Sequence, residues 1–485
     1  MSIHIHEEAK RCLLCQHAPC SKACKNGDPA RFVRAIRFGN EHLAHRWIAN
    51  CNYAELEEAE QACIHYDHPI RLRELAAEVK PNHIEPSELP SLDIDFCGIH
   101  CENPFFLASS AICTNYEMVA RAFEMGWAGV FYKTICMQDI NEVSPRFDAV
   151  HEEGRSDFYG FRNMEQLSEN PVDIDFDILH RLKQNYPTKI VVASIMGQTE
   201  EEWIELAKMA EAAGVDAVEL NFSCPQMRLT GMGSDVGQDP ELVTFYTAYV
   251  KRNVSIPVIP KMTPNITHIK EPARGAYFAG ADAISAINTI KSVTMSDSSA
   301  VDSKKTISGY SGRAVKPIAL RYILQLANDP IIKNVEFSGI GGIETWRDSL
   351  EFIQLGCRNV QICTSVMQYG YRIIDDLRLG LQTYMKERGI EHLEELVGEQ
   401  LPNFVTAGEL NRDTMVYPNI NRDLCVGCGR CQVSCDDGGH QAITFDKETR
   451  QPHIVGTKCV GCHLCRLVCP TGAIGMTKRL PKKRH

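Results

Sequence analysis

The chain has no apolar run approaching the roughly twenty residues of a bilayer-spanning helix, which argues against a helical membrane protein. It has no surplus of positive charge either. A formal net charge of −11 argues against a nucleic-acid surface. The basic stretch KRLPKKRH at residues 478–485 is short and reads as a solvated tail. Also missing is a G-x-G-x-x-G between a strand and a helix. The nearest stretch, GMGSDVG at 231–237, has the wrong spacing and reads as a loop. Rossmann-type binding of NAD(P) is therefore not expected, and electrons from a pyridine nucleotide would have to enter through another protein. The opening MSIHIHEEAKRC is polar and charged, unlike a secretory signal, so a cytoplasmic protein is expected.

Cysteine, by contrast, is abundant: 21 residues in a chain of 485. Without an export signal these read as thiolate ligands and redox groups in a reducing compartment rather than as disulfides. Composition is that of a soluble globular protein, 44% hydrophobic and 23% charged, and the length suggests two or three domains.

The cysteines are patterned. CVGCGRCQVSC from Cys425 and CVGCHLCRLVC from Cys459 repeat the spacing C-x2-C-x2-C-x3-C. Three thiolates of such a run hold corners of one cubic iron–sulfur cluster, while the fourth ligates the neighbouring cluster. One [4Fe–4S] cluster is thus expected on Cys425, Cys428, Cys431 and Cys469, and a second on Cys459, Cys462, Cys465 and Cys435. Pro470 follows the second run as is usual, whereas Asp436 replaces the corresponding proline of the first. Paired zinc sites are the alternative, but zinc prefers well-separated C-x2-C pairs.

Composition divides the rest. Residues 1–80 form a polar, helix-leaning block with its own cysteines. Residues 81–91, with Pro81, Pro86 and Pro90, read as a linker. From 92 to 410 short β-like runs alternate with amphipathic helical ones, and residues 411–485 hold the cluster module. The β-like runs are 105–110, 129–134, 189–195, 217–223, 258–263, 283–288, 335–341 and 359–365. Between two of them, TEEEWIELAKMAEAAG (199–214) puts Trp203, Leu206, Ala207 and Ala210 on one helical face. Eight buried strands, each followed by a helix, predict an α/β fold, a (β/α)8 TIM barrel, with an open doubly wound sheet as the runner-up.

Barrel chemistry gathers where the strands end. Those ends carry Ala108 and Ser109, Lys133 and Thr134, Ser194, Asn221, Ser223 and Cys224, Lys261, Asn288 and Thr289, Gly341 and Gly342, and Cys363 and Thr364. Two lysines on separate strands suggest convergence on an anionic ligand, against the alternative of solvated rim positions. The last two loops supply glycines and hydroxyls before helices, where barrels hold phosphate. Together with the clusters these features point to flavin mononucleotide (FMN), a lysine stabilising negative charge at its reduced ring. Cys224 opens a loop with Gly231, Gly233 and Gly237 that could carry a proton donor onto a ligand. A small buried hydrophobe is the alternative for that cysteine.

NFSCPQM with GMGSDVGQDPELV, KMTPN (261–265), AINTIKS (286–292), SGYSGRAVKPIALR (308–321) and SGIGGIETW (338–346) together resemble the bacterial NAD-dependent dihydropyrimidine dehydrogenases, within the dihydroorotate dehydrogenase-like superfamily. The likeness runs from about residue 92 to 476. It implies reversible reduction of uracil or thymine, FMN in the barrel, two [4Fe–4S] clusters, and a second subunit carrying FAD and the NAD site in a hetero-oligomer. It implies Cys224 as the catalytic acid at ring C5, opposite hydride delivery to C6. Substrate contacts fall on Asn163, Asn221, Ser223, Asn288 and Thr289. Flavin contacts fall on Ala108, Ser109, Lys133, Thr134 and Lys261, with Gly312, Gly341, Gly342, Cys363 and Thr364 near phosphate and ring. Asn163 and Gly312 come from the resemblance alone. Dihydroorotate oxidation is the nearest alternative, with Arg228 a cation for its carboxylate, and a pure electron-transfer protein is a third.

RCLLCQHAPCSKAC (11–24) resembles the helical cluster-binding segment that begins the FAD-containing half of this family. That segment supplies eight ligands for two clusters, and only Cys51 and Cys63 follow here. One extra cluster from Cys12, Cys15, Cys20 and one of Cys24, Cys51 or Cys63 is the expectation. A zinc site or a docking domain without metal is the alternative.

Overall fold

The structure is a computed structural model and describes residues 3–80, 84, 86–151, 158–225, 227, 232–295, 306–332 and 334–482. The chain forms two compact units. One comprises Phe38–Leu43 and Asn82–Asn403, the other Met1–Arg37, Ala44–Pro81 and Phe404–His485.

The larger unit is a closed parallel barrel. Its strands are β1 (Phe105–Leu107), β2 (Gly129–Phe131), β3 (Ile190–Ile195), β4 (Ala217–Asn221), β5 (Val258–Lys261), β6 (Ala283–Ala286), β7 (Glu336–Ile340) and β8 (Cys357–Ile362). Each pairs with the next, and Val360 of β8 lies opposite Phe105 of β1 to close the ring. All eight coincide with runs expected from sequence. Most end earlier than those runs, because the polar residues at their tails leave the ladder and enter loops at the mouth.

A helix follows every strand: α1 (Tyr116–Glu124), α2 (Val172–Asn185), α3 (Glu200–Ala212), α4 (Pro240–Lys251), α5 (Lys270–Phe278), α6 (Lys316–Ala327), α7 (Trp346–Gln354) and α8 (Ile373–Arg388). Local sequence fixes their starts. The Thr199 side chain caps α3, whose first turn carries three glutamates toward the positive end of the helix dipole. Asp239 caps α4 ahead of Pro240, and Thr345 with Asp348 forms a capping box on α7. Trp203, Leu206, Ala207 and Ala210 are all buried, as their spacing predicts. Residues 38–43 strap α7 and α8: Trp346 Nε1 donates to the Gly39 carbonyl (3.0 Å) and Asn40 Nδ2 to that of Asp376 (2.9 Å).

One element has no counterpart in the sequence reading. The loops after β2 and β6 build a four-stranded antiparallel sheet from Phe147–His151, Phe158–Asn163, Ser308–Ser311 and Ile290–Ser292. Arg162 is fully buried there, its Nε donating to Ser308 Oγ (2.5 Å) and Nη2 to the Thr306 carbonyl (2.8 Å). The pairing of Asn163 with Gly309 sets both at one end of this sheet.

In the smaller unit, the amino-terminal helices Ile3–Lys10, Pro19–Ala23, Pro29–Arg37, Tyr53–Gln61 and Leu72–Glu78 share an apolar core including Phe32, Ile36, Leu56 and Leu75. The carboxy-terminal module pairs helices Arg430–Gly438 and Leu464–Leu467 with short antiparallel ladders. Among the described residues no helix is long and apolar enough to cross a membrane.

Candidate active site

A cavity of about 1040 Å³, its open mouth included, lies at the ends of the barrel strands. Ala108, Ser109, Lys133, Thr134, Asn163, Asn221, Cys224, Lys261, Asn288 and Thr289 all line it, as do Gly312, Gly341, Gly342, Cys363 and Thr364. The antiparallel sheet contributes Asn163 with Phe161, Tyr310 and Ser311. Of the residues expected here Ser194 is off the wall, and so is Ser223. Ser223 is completely buried behind it, accepting from Asn288 Nδ2 (2.9 Å) and donating to Asn221 Oδ1 (2.8 Å). Ser223 thus braces two wall amides. Gly231 and Arg228 lie outside the described residues.

The two lysines converge, 4% and 3% exposed, so neither is a rim residue. Each meets a buried carboxylate: Lys133 Nζ lies 2.9 Å from Glu165 Oε2, and Lys261 Nζ lies 3.4 Å from Glu219 Oε1. A buried ammonium needs such a partner to remain charged out of water. Arg146 adds a second cation to Glu165 at 3.2 Å. A chain of side chains ties the floor together. Asn221 Nδ2 donates to Thr134 Oγ1 (2.9 Å), which meets Ser194 Oγ at 2.9 Å, and Ser194 donates to Glu219 Oε1 (2.9 Å). Gln361 Nε2 donates to Ser285 and Ser338 at 3.1 and 2.9 Å, fixing its amide across three strands.

Glu165, Glu219 and Gln361 are the site residues that sequence reasoning missed. For Glu219 a signal existed: a carboxylate inside the apolar run AVELNFS must have a partner when that strand is buried. Glu165 and Gln361 carry no comparable mark.

Cys224 is 6% exposed, and its carbonyl accepts from Ser234 N at 2.9 Å. Asn163 Oδ1 accepts from Glu165 N at 2.7 Å, and Asn288 Oδ1 from Thr289 N at 2.7 Å. Burial pushes the Cys363 thiol up, leaving it a neutral S–H group on the opposite wall.

The lining suits a flavin mononucleotide. Gln361 Oε1 is buried without a hydrogen-bond partner, an acceptor awaiting an N–H, and two lysine ammonium groups supply donors. The isoalloxazine edge, with its carbonyls and single N–H, requires that mixture. The phosphate end has a cradle: Gly342 adopts φ +76°, and a Cβ there would lie 2.8 Å from Lys316 N and 2.9 Å from the Gly312 carbonyl. Only glycine leaves backbone exposed in that space. Ser311 Oγ and Thr364 Oγ1 meet beside it at 2.9 Å.

In the smaller unit, Cys459, Cys462, Cys465 and Cys435 line one cavity, the grouping that the spacing predicts. Cys431 and Cys469 pack into the same small core, and Cys425 and Cys428 lie close enough to Cys431 to raise its thiol further, burial being the larger cause. The tight curl needs glycine, since a Cβ on Gly427 or Gly461 would strike a carbonyl at 2.6 or 2.5 Å. In the amino-terminal block, Cys12, Cys15, Cys20 and Cys63 surround a cavity of about 450 Å³. Cys24 and Cys51 stand apart from it as a pair, Sγ to Sγ 2.7 Å. Among the described residues no three His, Cys, Asp or Glu side chains converge tightly enough for a single metal ion.

A dihydroorotate dehydrogenase model matches residues 91–385, and a 4Fe-4S dicluster domain model matches residues 418–476. The NAD-dependent dihydropyrimidine dehydrogenase subunit PreA of Escherichia coli is 51% identical over 391 residues, 79% of this chain and 95% of that protein. The chloroplastic dihydropyrimidine dehydrogenase (NADP(+)) of Arabidopsis thaliana is 37% identical over 66% of this chain and 79% of its own. The catalytic subunit of dihydroorotate dehydrogenase B (NAD(+)) from Pyrococcus abyssi is 36% identical over 63% of this chain and 98% of its own. With its barrel matched by the family model and its bacterial relative matched almost end to end, the chain belongs to the dihydroorotate dehydrogenase family of oxidoreductases.

Proposed function

We propose that this chain is the pyrimidine-reducing subunit of an NAD-linked dihydropyrimidine dehydrogenase, interconverting uracil or thymine and the 5,6-dihydro base. One observation carries the reading: three asparagines from separate segments, Asn163, Asn221 and Asn288, line one cavity with Cys224. Paired amide donors and acceptors match the uncharged imide edge of a pyrimidine. Bound FMN supplies the hydride to ring C6, and bound [4Fe–4S] clusters supply one-electron carriage from an FAD- and NAD-binding partner subunit.

The chain's own residues do the rest. The asparagines with Thr289 orient the ring, and Ser223 holds two of those amides in register. Cys224 Sγ gives its proton to C5 in reduction and removes it in the reverse direction, the work of a positioned general acid and base. Lys133 and Lys261 offset negative charge at the flavin ring, and Gly312, Gly341, Gly342 and Thr364 hold the phosphate. Cys425, Cys428, Cys431 and Cys469 hold one cluster, and Cys459, Cys462, Cys465 and Cys435 the other. The subunit relationship is supported by a relative that is itself named as a subunit.

A third [4Fe–4S] cluster belongs on Cys12, Cys15, Cys20 and Cys63, the four that share a cavity. Iron near twelve per FMN supports this, and near eight removes it, at about four irons per cubane. Anaerobic titration tests the activity. Bleaching of the flavin band by dihydrouracil, and not by dihydroorotate, is expected; bleaching by dihydroorotate alone, or by neither, overturns it.

A further inference from the structure

The amino-terminal block holds six cysteines, and its cavity gathers four of them, Cys12, Cys15, Cys20 and Cys63. The other two meet each other. Cys24 is 4% exposed in the apolar core, Cys51 is partly exposed, and their sulfurs are 2.7 Å apart. The place is shaped around them: a Cβ on Gly27 would lie 2.3 Å from Cys51 Sγ, so any larger residue expels that sulfur. Cys24 ends the helix Pro19–Ala23 that carries Cys20, its N–H bonded to the Cys20 carbonyl at 3.2 Å. Cys51 immediately precedes Asn52, the cap of the helix Tyr53–Gln61 that leads to Cys63. A bond between the two sulfurs would therefore tie together the two segments that deliver Cys20 and Cys63 to the cavity.

We propose that Cys24 and Cys51 form a redox-responsive dithiol, closing to an intrachain disulfide by exchange with a low-molecular-weight disulfide. This does not rest on the third cluster and would stand with the cavity empty. The partly exposed Cys51 sulfur attacks the small disulfide, forming a mixed disulfide and releasing one small thiol, which takes up the Cys51 proton. Cys24 sulfur then attacks the Cys51 sulfur, displacing the second small thiol with the Cys24 proton. Two protein S–H bonds and one small S–S bond become one protein S–S bond and two small S–H bonds. The protein loses two electrons and the small disulfide gains them. In a reducing cytoplasm the pair rests as thiols, and it closes when the thiol pool is oxidised.

The test uses full-length protein, isolated without oxygen with its flavin and iron, and exposed to glutathione disulfide. A Cys24–Cys51 linked peptide, lighter by two hydrogens and reopened by dithiothreitol, is expected, with iron per chain unchanged. Cys24→Ser and Cys51→Ser should each abolish that peptide and keep full iron. If both thiols remain singly alkylated, or Cys51 stops at the glutathione adduct, the proposal fails. It fails equally if either substitution removes about four irons per chain, the mark of a cluster ligand. Should a serine variant not fold, the wild-type peptide map alone decides.

Discussion

Lys133 and Lys261 reach the cavity already committed to glutamates, so the site's electrostatics are set before any ligand arrives. Removing one partner of a buried pair strands the other charge, at a cost of about 3 kcal/mol or more. Glu165→Ala should therefore lower chemical-denaturation stability by about that amount, and weaken flavin retention because Lys133 loses its anchor. Unchanged stability would mean that Arg146, Lys133 and solvent rearrange freely. Cys224 makes the opposite demand. Cys224→Ala removes only a small group from a loop that the structure holds through its backbone, so folding, flavin absorbance and iron should persist. Turnover should fall by about 10²–10⁴, the usual worth of a positioned general acid; steady-state rates within a few-fold of wild type would take Cys224 out of the reaction. Three thiols away from the cavity pack as neutral groups: burial drives Cys101 and Cys113 up to about 12 and raises Cys357 as well. Cysteine abundance alone therefore overstates the redox content of this chain.

At the scale of elements, the barrel strands were legible because each is a short apolar run bounded by turn residues and buried on both faces. The residues that line the cavity at their ends were legible for the same reason, since Lys133, Asn221 and Lys261 interrupt those runs where the ladder stops. The antiparallel sheet was not. FDAVH and SGYS are brief and weakly alternating, and what joins them is the strand Phe158–Asn163 lying between them, a long-range pairing that leaves no local pattern. Asn163 accordingly came only from family resemblance. The glycine cradle offers a test of element placement. Gly342 combines a left-handed backbone with close approach of Lys316 N at the start of α6 and the Gly312 carbonyl. Gly342→Ala should cost about 1–3 kcal/mol. It should also lower the flavin content of purified protein, read from the ratio of flavin to protein absorbance. Full flavin content would show that the loop yields without disturbing the phosphate position.

Over the whole molecule, the two units depend on different forces. The barrel closes strand on strand into a ring, while the amino-terminal helices of the smaller unit combine their apolar core with buried charge. Glu8 is the clearest case, 5% exposed and joining the first helix to the start of Leu72–Glu78. Burial works against its charge, but the Arg71 N–H (3.0 Å), Arg11 Nη1 (2.6 Å) and Arg71 Nη2 (3.2 Å) outweigh it and hold the carboxyl below its ordinary 4.5. A carboxylate whose folded pKa is depressed stabilises fully above its unfolded value, and that contribution is lost as pH falls through the folded one. Glu8→Gln should therefore destabilise the block by about 1.5–3 kcal/mol near neutrality, the worth of hydrogen bonds to a charged group. The gap from wild type should hold steady down to about pH 4.5 and then narrow on further acidification. Amide exchange in helices 3–10 and 72–78 reads this without involving the barrel. A gap that widens below that pH would reverse the sign and place the protonated form of Glu8 in the folded state.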